Sequence, residues 1–552
     1  MSPADADPVA GSEAAPPRRE SRGSRLAGVA VSWLPALLVL VPVALVLWRA
    51  VGPVGEGWER VVEYRLGGYL KETAILVLAV TALAIAFGVP SAWLVSVYRF
   101  RGRGAFEWLL MLPLAMPGFV AAAAYVDNLE RLIPFYIWVR ETFGIEAFLK
   151  VQEIAPWVFA ATVLGSTLFP YVYLSCRAVF SRQAAATLEA SRMLGLGGGR
   201  TFFRVALPLA RPAVAAGGSL VAMEALNDYG VVSYFGLNPL TPGVFRAWME
   251  GEIGVAVRLA VILMAVAMVA LAVERAQRGR RRFAADGADH PLARKRLGPI
   301  GTLGAWMACG LPLLLGFLIP GVRMARWAAQ SLAAGGGSVD DWLAAGHSFG
   351  LAAAAAAVIV VGAVLLVGGR RAFAAPSLGV ARRIGLLGYA FPSAMVAVGV
   401  GGVVSALAGW SPAFAPLALS ASVFGLLAAY FVRFLAVAIQ PAQAGIERVS
   451  GSLHEAARTL GAGPLRALWQ VDLPLLWPTL VAGATLAFID VFKELTLTLV
   501  LRPFDFETLA TRTFRLVDEG RLPEASLPGL MIVAIGLLGL LPLTRLLKIS
   551  AP

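Results

Sequence analysis

The sequence predicts an all-α membrane protein of about 12 transmembrane helices in two homologous six-helix halves. Three observations lead there. Of 552 residues, 58% are hydrophobic and 15% charged, with a mean hydropathy of +0.74, whereas soluble domains are about half apolar and a quarter charged. Apolar runs long enough to cross a bilayer follow one another along the chain with short polar connections. A short motif is also spelled twice, once in each half of the chain.

Residues 1–29 are polar, rich in Pro and Ala, and carry Arg18, Arg19, Arg22 and Arg25 before the first apolar run. They read as a disordered cytoplasmic tail ahead of an uncleaved anchor. Spanning runs then lie near 31–51, 73–96, 107–127, 156–180, 212–235, 253–273, 299–319, 349–368, 384–407, 413–439, 475–499 and 526–547. Pro35, Pro42, Pro113 and Pro117 fall inside spans, where neighbouring helices can satisfy the freed carbonyls. The domain reading is a first half over 30–273, a basic cytoplasmic linker over 274–298 and a second half over 299–552.

Positive residues are retained on the cytoplasmic side of a membrane. With the N-terminus inside, 30 of the 47 Lys and Arg fall on cytoplasmic segments, 14 on the opposite side and three (Arg258, Arg433, Lys493) deeper within spans. Both termini are therefore expected in the cytoplasm. The densest basic stretch, Arg275 to Arg282 with Arg294, Lys295 and Arg296, lies between spans six and seven. It reads as a cytoplasmic linker joining the two halves, with nucleic-acid binding the minor alternative given its short length, and no nucleic-acid partner is expected.

Two cysteines (Cys176, Cys309) and three histidines (His290, His347, His454), none adjacent in sequence, provide neither a disulfide framework nor a zinc cage. No resident metal or other cofactor is expected.

Glu189-Ala190-Ser191 with Gly195 and Pro208 recurs as Glu455-Ala456-Ala457 with Gly461 and Pro474, every position offset by 266. Each copy lies between the fourth and fifth spans of its half, so the repeat is a parallel one of six spans. Leu188 to Leu194 and Leu453 to Leu460 are helix formers, and Gly195 and Gly461 stop the helix in a left-handed turn. The expected loop is a helix, a sharp turn and a second short helix, with each proline near the start of the next span. Such a unit suits docking into a groove on another protein.

The doubled Glu-Ala-Ala, Gly and Leu-Pro pattern resembles the coupling loop of permease subunits of ATP-binding-cassette importers, and the likeness extends over nearly the whole chain after residue 60. It implies a type I importer permease architecture in the bacterial inner membrane. It also implies that the motif residues contact a separate ATPase, of which this fused chain would engage two copies, and that a periplasmic binding protein delivers substrate. Gly195-Leu196-Gly197-Gly198-Gly199-Arg200-Thr201 lacks the lysine and spacing of a phosphate-binding loop. The chain is thus expected to be a transport subunit rather than an enzyme, its partner using the ATP.

Ionisable residues inside spans default to functional candidates. The fifth span of the first half carries Glu224 and Asp228, that of the second Asp490 and Glu494, again offset by 266. On a continuous helix an i, i+4 pair shares one face, so four carboxylates could converge on a pore and pass a cation. The same acids could instead be satisfied locally: Lys493 neighbours them in one half, and Asn227-Asp228-Tyr229-Gly230 could be a helix break. Both readings stay open on the sequence.

The segments Ala225 to Gly230, Asp490 to Leu495 and Arg502 to Thr511 are similar to fused permeases of ferric iron importers. That resemblance implies iron, with thiamine, polyamine and phosphonate permeases as related alternatives. A twelve-span secondary transporter fits the length and repeat, but leaves the duplicated loops unexplained.

Overall fold

The computed structural model describes residues 22–183, 191, 193, 195–278, 294–373, 375–410 and 423–549. The tail before residue 22, the linker from 279 to 293 with His290, the start of the tenth apolar run, and Glu189 and Ala190 lie outside the described residues.

The described chain is helical. Ten helices are long and apolar enough to cross a membrane, and two bent helix pairs raise the number to twelve. These twelve correspond in order to the twelve apolar runs. The third and ninth are sharply bent: Arg103–Ala115 turns through 86° into Gly118–Asp127, and Pro376–Ala390 turns through 116° into Ser393–Leu407. Pro117 sits in the first break and Pro392 in the second. A proline lacks the N–H that would continue the helix, and its ring excludes the carbonyl of the preceding turn.

The fifth and eleventh spans also differ from the expected continuous runs. Gly198–Asn227 and Pro464–Phe492 each form one membrane helix, after which the chain breaks and restarts as the short helices Gly230–Tyr234 and Thr496–Leu501. Pro208 and Pro474, expected at the start of a span, lie inside these continuous helices. Each follows a widened π turn, Phe202–Ala206 and Leu468–Asp472. A π turn shifts the local hydrogen bonding and accommodates a proline without ending the helix.

Two compact units cut across the sequence halves. One comprises residues 1–40, 356–389 and 434–487, the other 41–355, 390–433 and 488–552. In the first, the opening helix Arg22–Ala50 lies on helices of the second half: Arg25 donates to the Phe373 carbonyl at 3.1 Å, and Gly28 faces the Phe373 ring so closely that a Cβ would overlap it. In the second, the seventh span lies on helices of the first half. Ser91 Oγ donates to the Ala308 carbonyl at 3.3 Å, Tyr125 OH donates to Leu315 at 2.7 Å, and Gly316 abuts the Ser166 carbonyl. Each half thus lends its first span to the other. The buried Arg258 donates to the Gly52 and Pro53 carbonyls, both at 2.8 Å, which offsets the cost of a cation away from water.

Candidate functional site

The second copy of the repeated loop is described throughout. Ser450 precedes the helix Gly451–Thr459, which carries Glu455, Ala456 and Ala457. Glu455 and Ala456 are exposed and Ala457 is half-buried. Gly461 ends the turn with φ 87°, and the Ala462 N–H donates back to the Ala457 carbonyl at 3.0 Å. That six-to-one bond with a left-handed glycine is the Schellman stop, in which a Cβ would be strained. No atom would meet a Cβ at Gly461, so the constraint there is purely conformational.

In the first copy Gly195 has φ 77° and the Leu196 N–H donates to the Ser191 carbonyl at 3.2 Å, the same bond 266 residues earlier. Ser191 is buried, while Glu189 and Ala190 lie outside the described residues. The correspondence continues residue for residue: Gly198–Thr201 matches Pro464–Ala467, and the two π turns match each other. The second short helix expected after each glycine is therefore the opening turn of the next span. Both loops also present apolar side chains outward. Phe203 and Trp469, at equivalent positions, are 68% and 67% exposed, and Leu460 is 89% exposed.

What holds each loop from behind differs. Asp472, fully buried, lies 3.1 Å from Arg371 Nε and 2.6 Å from His454 Nδ1. The Arg371 guanidinium also donates to the carbonyls of Ile446, Val449 and Ser450 at 3.0 to 3.3 Å, tying the residues just before the helix Gly451–Thr459 to the start of the span. In the first copy Asp472 is replaced by Ala206. An aromatic cluster takes its place: Trp93 packs against Phe202 at 5.3 Å, Phe180 at 5.4 Å and Tyr98 at 6.1 Å between ring centroids. The sequence reading missed Asp472, although an acid amid Leu468, Trp469, Val471 and Leu473, with alanine at the repeat position, was a usable signal.

The four intramembrane acids divide by role. Because the helices end at Asn227 and Phe492, Asp228 and Glu494 fall past the last turn and do not share a helix face with Glu224 and Asp490. Asp228 Oδ1 accepts from the N–H groups of Val231 and Val232 at 2.9 and 3.3 Å. Glu494 accepts from Leu497 at 2.9 Å and Thr498 at 3.2 Å. Each thus caps the short helix that follows, satisfying N–H groups that a helix start leaves open. The helix-break reading describes these two acids.

Glu224 and Asp490 remain within their helices. Asp490 forms an ion pair with Lys493 at 3.0 Å, with side chains 27% and 30% exposed. The charge of Glu224 also acts on Lys493, so the polar cluster draws on the fifth and eleventh spans. Asn227, at the position equivalent to Lys493, donates to the Met223 carbonyl at 2.7 Å and accepts from the Ser393 N–H at 3.0 Å. Behind Glu494, Arg433 donates to the Phe391 carbonyl at 2.7 Å, beside the break in the ninth span. Among the described residues no three of His, Cys, Asp and Glu group as a metal site. The acids form no cage.

Residues 84–275 and 377–552 match the family described as the binding-protein-dependent transport system inner membrane component. The chain belongs to this family. Its domain occurs twice, once in each half, so the chain is a fused pair of permeases of an ATP-binding-cassette importer. The chain is 26% identical to the Fe(3+)-transport system permease protein FbpB 2 of Haemophilus influenzae, over 91% of this chain and 96% of that protein. It is 26% identical to the sulfate transport system permease protein CysT of Escherichia coli over 37% of this chain and 71% of that one. A putative 2-aminoethylphosphonate transport system permease protein PhnV of Salmonella paratyphi A is 31% identical over 29% of this chain and 59% of its own length. The binding-protein-dependent permease is accordingly a multi-pass inner-membrane transport subunit, and its family is one that works with a binding protein.

Proposed function

We propose that this permease forms the whole translocation path for ferric iron, released by a periplasmic binding protein and moved inward as a separate ATPase hydrolyses ATP. The observation that carries the substrate is the likeness to the iron permease, which runs through both halves and nearly the full length of each protein. The sulfate and phosphonate relatives correspond to about a third of the chain or less.

In this reading two ATPase copies seat on the paired loops, through Glu189, Ala190, Ser191 and Gly195 with Pro208 in the first, and Glu455, Ala456, Ala457 and Gly461 with Pro474 in the second. The docking helix turns at a fixed glycine and its span continues unbroken from the turn. Movement of the loop is thereby transmitted along the fifth or eleventh span to the polar cluster. Both termini and the linker face the cytoplasm, as the distribution of 30 against 14 positive residues supports. Glu224 and Asp490 contribute negative charge along the path, with Lys493 offsetting it, while Asp228 and Glu494 hold the helix breaks on either side. A few spread carboxylates suit passage of a hard cation better than a closed cage, which would hold the ion too tightly to release it.

The test is uptake of radiolabelled ferric iron by cells expressing the permease with its ATPase and binding protein. Iron uptake that is ATP-dependent and lost in a Glu224→Gln, Asp490→Asn double variant is the expected outcome. Uptake of sulfate in place of iron would overturn the substrate. Transport that continues without any ATPase, driven by an ion gradient, would overturn the mechanism.

A further inference from the structure

At the end of the second span the chain runs Tyr98-Arg99-Phe100-Arg101-Gly102-Arg103, and the residues leading into the seventh span are Arg294-Lys295-Arg296. The two segments pair as short parallel strands, Tyr98 opposite Lys295 and Arg99 opposite Arg296, and the Leu297 N–H donates to the Arg99 carbonyl at 3.0 Å. Arg294 Nε donates to the Ser96 carbonyl at 3.3 Å. Like charges directly opposite across a ladder repel, so the pairing places two guanidinium groups where they cost energy unless an anion lies between them.

The acid paired within this group is Glu107, and it is already shared: Arg103 lies 3.0 Å away and Arg177 also contacts it. Among the described residues no acid pairs with Arg99, Arg101 or Arg296. Arg294 records the same imbalance, since burial and then the neighbouring Arg103 and Arg99 push its pKa below the usual arginine value. The basic group opens into a cavity of about 920 Å³ lined by Arg99, Arg101, Arg103 and Arg296 on one side and by Leu303 and Trp306 on the other. The Trp306 indole N–H donates to the Arg101 carbonyl at 2.8 Å, which fixes the ring at the polar edge. Below it Leu303 and Met307 are 58% and 67% exposed on a helix that crosses the membrane.

We propose that this cavity binds an anionic phospholipid, its phosphate between Arg99, Arg101 and Arg296 and its acyl chains along Leu303, Trp306 and Met307. A basic pocket between membrane helices, capped by an aromatic residue at the interface, has the chemistry that selects such head groups. The lipid neutralises the repulsion across the strand pair and so holds the start of the second half on the end of the second span.

The experiment uses the full chain in nanodiscs of phosphatidylcholine, alone or mixed with phosphatidylglycerol, with retained lipid counted by native mass spectrometry. The wild type is expected to retain phosphatidylglycerol over phosphatidylcholine. A variant combining Arg99→Gln, Arg101→Gln and Arg296→Gln should lose that preference by roughly 100-fold, the factor for three cationic contacts at a membrane surface. The corresponding triple lysine variant should keep it within several-fold. Inorganic phosphate should not displace the lipid, because it cannot use the apolar wall. Equal retention of the two lipids by the wild type overturns the proposal whatever the variants do. Undiminished retention by the glutamine variant, or full displacement by inorganic phosphate, overturns it as well.

Discussion

The two repeated loops share a turn and differ in what holds it. Both stop a helix at a left-handed glycine, make the same back-bond, and enter the next span through a π turn at matching positions. Behind the second loop stands a buried polar network in which Asp472 meets Arg371 and His454; behind the first stands an aromatic cluster around Trp93. The backbone of the turn and of the span entry is thus the same in both copies among the described residues, while the support beneath it has diverged. Fusion of the halves in one chain permits this, since each loop always stands in the same place and need not fit both.

That contrast predicts its largest effect at Asp472. Replacing it by alanine leaves the Arg371 guanidinium without its counter-charge and His454 Nδ1 without its hydrogen-bond partner, a change that costs about 3–5 kcal/mol when a buried pair loses one partner. Thermal unfolding of Asp472→Ala should show this loss, and adding Arg371→Leu and His454→Leu should recover much of it. On the other side, Trp93→Ala should cost about as much through an emptied core site, with Trp93→Phe recovering most. If Asp472→Ala leaves stability unchanged, the polar network does not support the loop, and the contrast between the halves fails.

The shared part of the comparison predicts equal effects. Gly195→Val and Gly461→Val each force a branched side chain into a positive φ, at about 1–2 kcal/mol. At neither position would an added Cβ meet another atom within 4 Å, so the whole cost falls on the turn. ATP hydrolysis measured with the ATPase bound should continue while substrate uptake drops in both variants. Normal uptake in either one would show that its loop does not carry the coupling.

How much of this was legible in the sequence depends on which signal was asked. Hydropathy located the ten membrane-length helices and both bent pairs because apolar length is dictated by the bilayer. The repeat placed Gly195 and Gly461 correctly at the ends of turns because glycine is the residue that adopts φ near 80° without strain. The bends at Pro117 and Pro392 were not legible, since a proline inside an apolar run is compatible with a kink, a break or an uninterrupted helix, as Pro474 demonstrates. The spacing of Glu224 with Asp228, and of Asp490 with Glu494, misled for a related reason. An i, i+4 pair shares a face only if the helix continues, and both helices stop between the two acids.

The polar cluster offers the next smaller effect. Asn227 and Lys493 occupy equivalent positions, one bonded to backbone and the other paired with Asp490. Because both side chains of that pair are nearly a third exposed, Asp490→Asn should cost no more than about 1 kcal/mol, well below the cost at Asp472. Lys493→Met on top of it should restore the stability. Iron uptake separates structure from transport: if Asp490 acts on the path, uptake stays low in the stable double variant. Uptake restored together with stability would make the acid a partner for Lys493 and nothing more.

The smallest effect belongs to a segment that is shorter in the first half. Between the short helix that follows the break and the helix after it, the second half has the longer stretch, Arg502 to Thr508, where the first half has Phe235 to Pro239. Glu507 is held there by Arg515 at 2.7 Å, Arg512 at 3.2 Å and Arg502 at 3.5 Å. Burial alone would raise its pKa, but the arginines outweigh burial and hold it below the usual glutamate value of 4.5. A carboxylate with a depressed folded-state pKa adds stability that is present above its unfolded value, and this is lost as the pH falls through the folded one. The wild type should therefore lose stability below about pH 4.5, and Glu507→Gln should remove that part of the acid dependence. Melting temperatures at pH 7 and pH 4 measure the difference, which is expected to be small because Arg515 is exposed enough for water to screen it. An acid dependence identical in the two proteins would place it on other carboxylates, and the longer loop of the second half would then owe nothing to Glu507.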